Sequence, residues 1–189
     1  MNRRTMIALS ATGAAGLLFW RIERPAAEPA AAAPAAAGVV KNVSLMEYSD
    51  AGAAIGLKEL PKVVKSDKEW KQQLTPIEFE VTRHADTEQP FSGKTWNLHD
   101  KGLYRCACCA IALFTSDTKF ESGTGWPSFW APLDKHNIVE TVDTSFGAVR
   151  TAVSCRRCDA HLGHVFDDGP KPTGLRYCMN SAAMHFVKG

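Results

Sequence analysis

The six cysteines of this 189-residue chain fall into two groups that predict different chemistry. Four of them form two Cys-x-x-Cys pairs with 45 residues between them: Cys106 and Cys109, then Cys155 and Cys158. A knuckle with this spacing directs two sulfurs at one ion about 2.3 Å away, so the two pairs predict a tetrahedral zinc site. Because four thiolates leave no open coordination position, we expect one structural zinc ion per chain. Two disulfides, or two redox-active pairs, are the alternative interpretations of this spacing.

Cys178 lies outside both pairs, in the segment Arg176-Tyr-Cys-Met-Asn180. A cysteine becomes a nucleophile when nearby cations or hydrogen-bond donors stabilise its thiolate. On a strand, Arg176, Cys178 and Asn180 would point to one face, because residues i and i+2 share a face. The alternation of an ordinary half-buried strand explains the same pattern, so this segment alone leaves a catalytic role open.

Two further segments carry residues suited to a binding site. His161 and His164 follow the second cysteine pair, and histidine exchanges protons near neutral pH. They can serve as a general acid and its orienting partner, as metal ligands, or as structural donors in a turn. The segment Gly125-Trp-Pro-Ser-Phe-Trp130 places Trp126 and Phe129 among glycine and proline, which suits either a core cluster or a small apolar pocket.

The elements that must position these residues change type along the chain. Residues 66–69 and 75–78 each match a capping box, and the second has proline at the first helical position, so two short helices are expected. From Tyr104 onward, short segments rich in β-branched and aromatic residues alternate with Gly, Pro and Asp turns. This pattern predicts strands, among them 138–142, 146–153 and 176–186. We therefore expect a mainly β domain with short N-terminal helices.

The first 40 residues have the composition of a targeting leader followed by a linker. Arg3 and Arg4 precede an apolar run, which predicts an export signal over 1–24 with a loose fit to a twin-arginine signal. The run is too short for a membrane span, but the leader can instead stay on the protein as an N-terminal anchor. Residues 25–40 predict an Ala/Pro-rich linker, and 41–64 an N-terminal extension to a domain at 65–189. We expect an exported, periplasmic protein, or one anchored by its N-terminus.

The charge balance argues against nucleic-acid binding. The chain has 22 lysine and arginine residues and 20 aspartate and glutamate residues, and from Val39 onward 18 of each remain. A neutral body has no general attraction for phosphate backbones. Membrane contact is expected only through an uncleaved leader, and nothing in the sequence requires more than a monomer.

Six segments occur in an order that resembles the B-type peptide methionine sulfoxide reductases, the MsrB family. They are Cys106-x-x-Cys109, Glu121-Ser-Gly-Thr-Gly-Trp-Pro-Ser-Phe129, Cys155-x-x-Cys158, His161-Leu-Gly-His-Val-Phe166, Asp168-Gly-Pro and Arg176-Tyr-Cys-Met-Asn-Ser181. The resemblance extends from about Lys65 to the C-terminus. It implies a fold of two antiparallel sheets in a tent-like arrangement, with a four-cysteine zinc site in many members.

The resemblance also implies an activity and a set of site residues. Members reduce the R epimer of methionine sulfoxide in peptides and proteins, which makes Cys178 the nucleophile and a cysteine sulfenic acid the intermediate. Trp126 is implied to face the substrate methyl group, and we assign Phe129 of the same segment to substrate binding. We favour His164 as the acid that serves the sulfoxide oxygen. The polar side of the pocket is implied to consist of His161, His164, Asp168, Arg176 and Asn180.

One position departs from the pattern of many members. A resolving cysteine is common elsewhere in the domain, and one candidate position for it is occupied here by Thr124, which cannot form a disulfide. Cys108 is otherwise unassigned but sits inside the first knuckle. We therefore expect an external thiol, from a thioredoxin-like or other reductant, to reduce the sulfenic acid directly, with Cys108 as the alternative resolver.

Two non-enzymatic classes compete with this interpretation. A zinc module that binds small GTPases would need the knuckles but not Cys178, the two histidines or Trp126. An exported disulfide scaffold would have intact disulfides and no metal. The joint presence of these four residues favours an enzyme that acts on oxidised proteins.

Overall fold

A computed structural model describes residues 41–189, apart from the side chain of Phe146. The export signal or anchor predicted for 1–24 and the linker predicted for 25–40 lie outside these residues. The predicted boundary at residue 64 likewise stays a prediction. Within residues 41–189, no helix is both long enough and apolar enough to cross a membrane.

The two predicted helices are present as α1 (Asp67–Gln73) and α2 (Pro76–His84). Each begins with a complete capping box, in which the cap hydroxyl accepts from a backbone N–H and a glutamate accepts from the cap backbone N–H. These reciprocal bonds satisfy N–H groups that a helix cannot pair internally. Trp70 on α1 and Phe79 on α2 are buried, so the helices cover one side of the core.

The rest of the domain is antiparallel sheet, which confirms the mainly β prediction. The first two strands, β1 (Asn42–Tyr48) and β2 (Ala54–Pro61), form a separate hairpin. A three-stranded sheet has the order β11-β3-β4, with β3 (Gly102–Cys106), β4 (Ala112–Thr115) and β11 (Met184–Lys188). A six-stranded sheet has the order β5-β6-β10-β9-β8-β7, with β5 (Lys119–Phe120), β6 (Ser128–Phe129), β7 (Ile138–Asp143), β8 (Arg150–Cys155), β9 (His161–Phe166) and β10 (Arg176–Met179).

The β1–β2 hairpin is a feature that the sequence pattern did not predict. It lies in the N-terminal extension and adds a third sheet to the two that were expected. Leu45 of β1 is fully buried, and the side chain of Asn137 bonds both the N–H and the carbonyl of Met46, at 2.9 and 2.8 Å. The Asn137 amide therefore supplies the hydrogen bonds that a neighbouring strand would otherwise provide to Met46 of β1.

Two of the predicted strands are interrupted. Residues 145–147 form a 3-10 turn with Gly147 at a φ of 74°, so the strand expected over 146–153 begins only at Arg150. The segment 176–186 is divided by a second 3-10 turn, Ser181–Ala183, into β10 and β11, which belong to different sheets. The sequence pattern predicts one continuous strand across this turn because the residues on both sides of the turn are buried.

Aromatic side chains fill the space between the two larger sheets. Tyr104 and Phe114 come from the three-stranded sheet, and Phe129 comes from the six-stranded sheet. Phe129 stacks on Phe114 with ring centroids 4.5 Å apart and meets the Tyr104 ring edge-on at 4.9 Å. The assignment of Phe129 to substrate binding is therefore corrected: its ring is fully buried in the core and does not face a site.

Candidate active site and metal centre

Cys178 stands in a row of residues that crosses the six-stranded sheet. It is directly opposite Ser128 on β6 and His164 on β9, and His164 is opposite Ala152 on β8. Side chains of directly paired residues lie on one face with Cβ atoms about 5 Å apart. The strand register therefore brings the predicted nucleophile next to the predicted acid.

The surroundings of Cys178 contain both a cation and hydroxyl groups. Arg176 shares its strand and face, and the Thr124 Oγ1 lies 3.8 Å from the Cys178 Sγ. Burial raises the pKa of the Cys178 thiol above its usual value. Hydrogen bonding from Thr124 and Ser128 and the charge of Arg176 oppose this effect. The thiol is thus mostly protonated at rest, and donors stand ready for the thiolate.

His164 is held by a carboxylate that the sequence analysis did not identify. Its Nε2 lies 2.7 Å from Asp143 Oδ2, the same oxygen that accepts a 2.8 Å bond from the Arg150 guanidinium. Hydrogen bonds from Ser145, followed by the contact with His164, hold the pKa of Asp143 well below its usual range. The ionised carboxylate therefore orients the imidazole ring beside Cys178.

His161 lies beside His164, with ring centroids 5.3 Å apart. It is only 9% exposed, and its Nε2 has no hydrogen-bond partner among the residues that the structure describes. Burial lowers its pKa to about 4, and the neighbouring His164 adds to that effect. His161 is therefore neutral at physiological pH, with a ring nitrogen available to a bound group.

Trp126 and Asn180 are positioned by one buried residue, Glu88. The indole Nε1 of Trp126 donates to the Glu88 carbonyl at 3.0 Å, and the Glu88 N–H donates to Asn180 Oδ1 at 3.1 Å. The Glu88 carboxylate accepts the N–H groups of Ser181 and Ala182, which follow the nucleophile strand. Glu88 thus connects the proposed apolar wall to the end of β10.

Asn180 is more deeply buried than Arg176 and Cys178. It follows the last residue of β10 and is buried, and its amide also donates to the Leu162 carbonyl at 3.1 Å. With both ends of the amide bonded to backbone, its evident function here is to fix the end of β10 against β9. That Asn180 shares a face with Arg176 and Cys178 stays a prediction.

Arg176 is the centre of a small charged group at the edge of the site. Its guanidinium forms two 2.8 Å bonds with the Asp168 carboxylate and lies over the Phe166 ring, 4.4 Å from the centroid. Arg176 is largely buried at its side chain, whereas Asp168 is mostly exposed. Asp168 therefore orients Arg176 from the solvent side, and Arg176 supplies positive charge next to Cys178.

A groove of about 600 Å³ opens beside the two histidines. Its polar lining includes His161, His164, Asp143 and Arg150, and Val142 lies at its edge with 74% of its surface exposed. This volume is within the range of sites that hold small molecules or single side chains. The groove gives a substrate access to the histidine pair.

The four paired cysteines converge at the junction of the two larger sheets. All four sulfurs lie within 4.8 Å of one another, with Cys106 3.6 Å from Cys158 and Cys109 3.5 Å from Cys155. Sulfurs at the corners of a tetrahedron around zinc are about 3.8 Å apart, so the cluster fits a metal ion of this kind. None of the six cysteines is in a disulfide. The donor set and its compactness favour the metal interpretation over two disulfides.

The two knuckles have the same backbone construction. In the first, the Ala110 N–H donates to the Cys106 carbonyl at 2.8 Å, and in the second the Asp159 N–H donates to the Cys155 carbonyl at 2.9 Å. Ala110 and Asp159 both have positive φ, at 61° and 56°. This left-handed residue reverses the chain after each pair, so that both sulfurs of a knuckle face the same point.

The first knuckle connects β3 to β4, and the second connects β8 to β9. The cluster thus joins the three-stranded sheet to the six-stranded sheet. Cys108 is buried within the same cluster, where hydrogen bonding from Cys106 lowers the pKa of its thiol. Nothing in the strand pairing brings Cys108 to Cys178.

Comparison with known proteins agrees with the resemblance of the motifs. The SelR domain family matches residues 74–188. The peptide methionine sulfoxide reductase MsrB of Hahella chejuensis is 57% identical over 127 residues, which are 67% of this chain and 91% of that protein. The MsrB protein of Herminiimonas arsenicoxydans is 56% identical over 125 residues, which are 66% of this chain and 91% of that protein. The MsrB protein of Agrobacterium fabrum is 53% identical over 126 residues, which are 67% of this chain and 93% of that protein. The chain therefore belongs to the MsrB family of peptide methionine sulfoxide reductases.

Proposed function

We propose that Cys178, with the two histidines and Trp126, carries out the reduction that family membership assigns to this chain. As a member, the protein is an oxidoreductase, a peptide-methionine (R)-S-oxide reductase that acts on oxidised methionine in proteins. The observation that carries the assignment of roles is the direct pairing of Cys178 with His164 across β10 and β9. It places a nucleophile and an acid on the same face, with Cβ atoms about 5 Å apart.

The proposed reaction begins with attack of the Cys178 sulfur on the sulfoxide sulfur. The sulfoxide is electrophilic only if its oxygen is protonated or strongly hydrogen-bonded as the sulfur–oxygen bond breaks. The new bond therefore forms between the two sulfurs as the oxygen accepts a proton, and that oxygen then passes to Cys178. The products are methionine, which has gained two electrons, and a Cys178 sulfenic acid, which has lost them.

The histidine pair supports two roles at that oxygen. Asp143 orients the His164 ring, and His164 is paired directly with Cys178 across the two strands, so His164 is the proposed acid. His161 is neutral, and its buried Nε2 has no partner within residues 41–189, so it is the proposed hydrogen-bond partner. A buried polar atom without a partner costs free energy until a bound group satisfies it, which favours binding of an oxygen there.

The methyl side of the substrate is assigned to Trp126. Its indole is fixed by the bond from Nε1 to the Glu88 carbonyl, so the ring is a preformed wall. An apolar wall on one side and the imidazoles on the other would give the methyl and the oxygen chemically different places. This arrangement supports selection of one epimer of the sulfoxide.

Recycling is proposed to use an external thiol. Family members act with thiol reductants, and position 124, next to Cys178, carries a hydroxyl instead of a second sulfur. A first thiol would attack the sulfenic sulfur, release water and form a mixed disulfide. A second thiol would then release Cys178 and leave the reductant as a disulfide. A thioredoxin-like dithiol can supply both.

The metal proposed for the cluster is a single structural Zn²⁺ held by Cys106, Cys109, Cys155 and Cys158. When bound, it would offset the charge of four close thiolates and leave no position open for a substrate. Its contribution would be to stability, because the four ligands come from two different sheets. Metal analysis of the purified protein, with one zinc per chain expected, tests this assignment.

Export is the proposed destination, with repair of oxidised exported proteins as the task. The proposal rests on the Arg3–Arg4 pair, the apolar run that follows it and the Ala/Pro-rich segment behind it. The test is fractionation of a host with a periplasm that expresses the full chain with a C-terminal tag, followed by mass measurement of the recovered protein. A cytoplasmic location equal to that of an Arg3→Lys, Arg4→Lys variant would contradict export by the twin-arginine route.

The decisive test of the catalytic proposal uses separate peptides carrying the R and the S sulfoxide, with a dithiol as reductant. Methionine is expected from the R peptide only, and Cys178→Ser is the matched control that should form none. Turnover of the S peptide, or equal turnover by the Cys178→Ser variant, would overturn the proposed chemistry.

A further inference from the structure

Three hydroxyl groups form a continuous chain that ends at Cys178. The Ser128 Oγ lies 2.7 Å from the Ser122 Oγ, which lies 2.8 Å from the Thr124 Oγ1, and this atom is 3.8 Å from the Cys178 Sγ. At the other end, Ser128 donates to the Trp126 carbonyl at 3.2 Å. The proposed activity does not yet use any of the three hydroxyls.

The loop around Thr124 is fixed. Gly123 and Gly125 both have positive φ, at 71° and 89°, and a side chain at Gly125 would collide with the backbone N of Phe91, only 2.7 Å from its Cβ position. The Phe91 N–H also donates to the Gly125 carbonyl at 2.8 Å. These contacts hold the loop in the conformation that places Thr124 beside Cys178.

The chain of hydroxyl groups has enough hydrogens to satisfy all its contacts when Cys178 is protonated. The thiol and the three hydroxyls together have four hydrogens, and four contacts need one hydrogen each. If Cys178 donates to Thr124, then Thr124 donates to Ser122, Ser122 to Ser128, and Ser128 to the Trp126 carbonyl. Every contact is satisfied in this direction.

The same chain serves an ionised Cys178 when it runs in the opposite direction. Three hydrogens remain after the thiol proton has left. Ser128 then donates to Ser122, Ser122 to Thr124, and Thr124 to the sulfur. The one bond given up is that from the Ser128 hydroxyl to the Trp126 carbonyl. At 3.2 Å it is the longest of the three oxygen–oxygen contacts in the chain. Hydroxyl rotation alone makes this change, because no heavy atom has to move.

We propose that Thr124, aligned by Ser122 and Ser128, is a catalytic hydrogen-bond partner of Cys178 that accepts from the thiol and donates to the thiolate and to the sulfenate. The position that departs from the pattern of a resolving cysteine thus has a chemical function of its own. Instead of forming a disulfide, the Thr124 hydroxyl stabilises the Cys178 thiolate before attack on the sulfoxide and the Cys178 sulfenate after it.

The other groups that face Cys178 act alongside this chain. Arg176 supplies positive charge from the same strand, and His164 faces Cys178 from β9. Asp168 is bonded to Arg176 and reduces its effect on the sulfur. Thr124 is the first of the groups that counteract the pKa-raising effect of burial at Cys178.

The test compares Thr124→Val, which keeps the shape but removes the hydroxyl, with Thr124→Ser, which keeps the hydroxyl. The measurement is the pH dependence of Cys178 alkylation by iodoacetamide in the full, metal-loaded chain, followed by mass spectrometry of the peptide 177–188. That peptide contains no other cysteine. Thr141→Val is the control, since Thr141 is an exposed residue of β7, three strands from β10.

We expect alkylation of the Thr124→Val variant at neutral pH to fall about tenfold, as is typical when one hydrogen bond to a charged group is lost. The pKa of Cys178 should rise by about one unit with it. Thr124→Ser should restore the wild-type profile, and Thr141→Val should not change it. A single-turnover assay with the R sulfoxide peptide should follow the same order.

Two results would overturn the inference. One is an unchanged alkylation profile in Thr124→Val, and the other is a Thr124→Ser variant as impaired as Thr124→Val, which would show that the shape of the side chain matters and not its hydroxyl. The inference rests on the proposed role of Cys178. Because alkylation does not require sulfoxide turnover, failure of the R and S peptide test would leave this result interpretable by itself.

Discussion

Five of the six cysteines lie together where the two larger sheets meet, whereas Cys178 lies alone on one face of the six-stranded sheet. The clustered sulfurs have other sulfurs as neighbours, and four of them fit a single ion. Cys178 has a guanidinium, an imidazole and hydroxyls as neighbours. The neighbours, and not the residue type, therefore decide whether a cysteine holds the fold together or performs chemistry.

The two regions are also assembled differently. Each knuckle is a local structure of about six residues, in which one turn with a left-handed residue aims both sulfurs. The site around Cys178 takes residues from β9, β10, the loop before β6 and the turn after β7. Its geometry depends on the register of the whole sheet, and a shift of one residue would move His164 to the opposite face.

Substitution of Cys178 should affect activity without affecting the cysteine cluster, and this is the largest difference expected between the two regions. Cys178→Ser is expected to lower sulfoxide reduction by a factor on the order of 10³ or more, because a hydroxyl is a far weaker nucleophile than a thiolate. Zinc content and melting temperature should stay at wild-type values. Parallel measurement of single-turnover methionine formation and metal content checks both statements. A near-normal rate would contradict the assignment of the nucleophile.

Loss of a clustered sulfur should have the opposite effect. Cys106→Ser removes one of four ligands, and since metal binding is coupled to folding we expect loss of zinc and a decrease in melting temperature of roughly 10 °C or more. Calorimetry and metal analysis, with Cys178→Ser as the matched cysteine-to-serine control, make the comparison. Full zinc content with an unchanged melting temperature would contradict the structural role of the cluster.

The local features of the molecule could be predicted from the sequence, for a physical reason. A capping box or a Cys-x-x-Cys knuckle is formed within four to six residues, so residue types at fixed spacing specify it. The helices at 67–73 and 76–84 and the four-cysteine cluster accordingly agree with the structure. Thr124 was also identified as a position of interest, and it does lie beside Cys178.

The residues that the sequence analysis missed act through contacts between distant segments. Glu88 meets residues more than 90 positions away, and Asp143 meets His164 from a different strand. A lone acidic residue carries no spacing signal that predicts either contact. Phe129 was misassigned for the related reason that an aromatic residue near a glycine-rich loop fits a pocket and a core equally well.

Acid should weaken the fold through a buried histidine of the active-site region, His161. Burial lowers the pKa of His161 to about 4, so the unfolded chain, with a value near 6.5, binds a proton there more readily than the folded chain. Stability therefore increases with pH across this window and is lost as the pH falls from about 6.5 to about 4. The full effect of this one group is on the order of 3 kcal/mol.

Denaturation with urea at several pH values checks this prediction. His161→Gln should show a flatter dependence between pH 6.5 and 4 than the wild type, and His136→Gln, at an exposed histidine, should match the wild type. An acid dependence that stays the same in His161→Gln would contradict the proposed contribution of His161.

A second cysteine next to Cys178 should give the active site two neighbouring sulfurs, as in the cysteine cluster. Because the Thr124 Oγ1 is already 3.8 Å from the Cys178 Sγ, Thr124→Cys should form a disulfide between the two positions after one turnover with the R sulfoxide. The first release of methionine should slow by up to about tenfold, as in Thr124→Val, because a thiol is a weaker hydrogen-bond donor than the hydroxyl it replaces. Free-thiol counting after one equivalent of substrate should then show two thiols lost in the variant and one in the wild type. Loss of a single thiol in the variant would mean that the loop between Gly123 and Gly125 holds position 124 in an orientation that serves hydrogen bonding but not disulfide exchange.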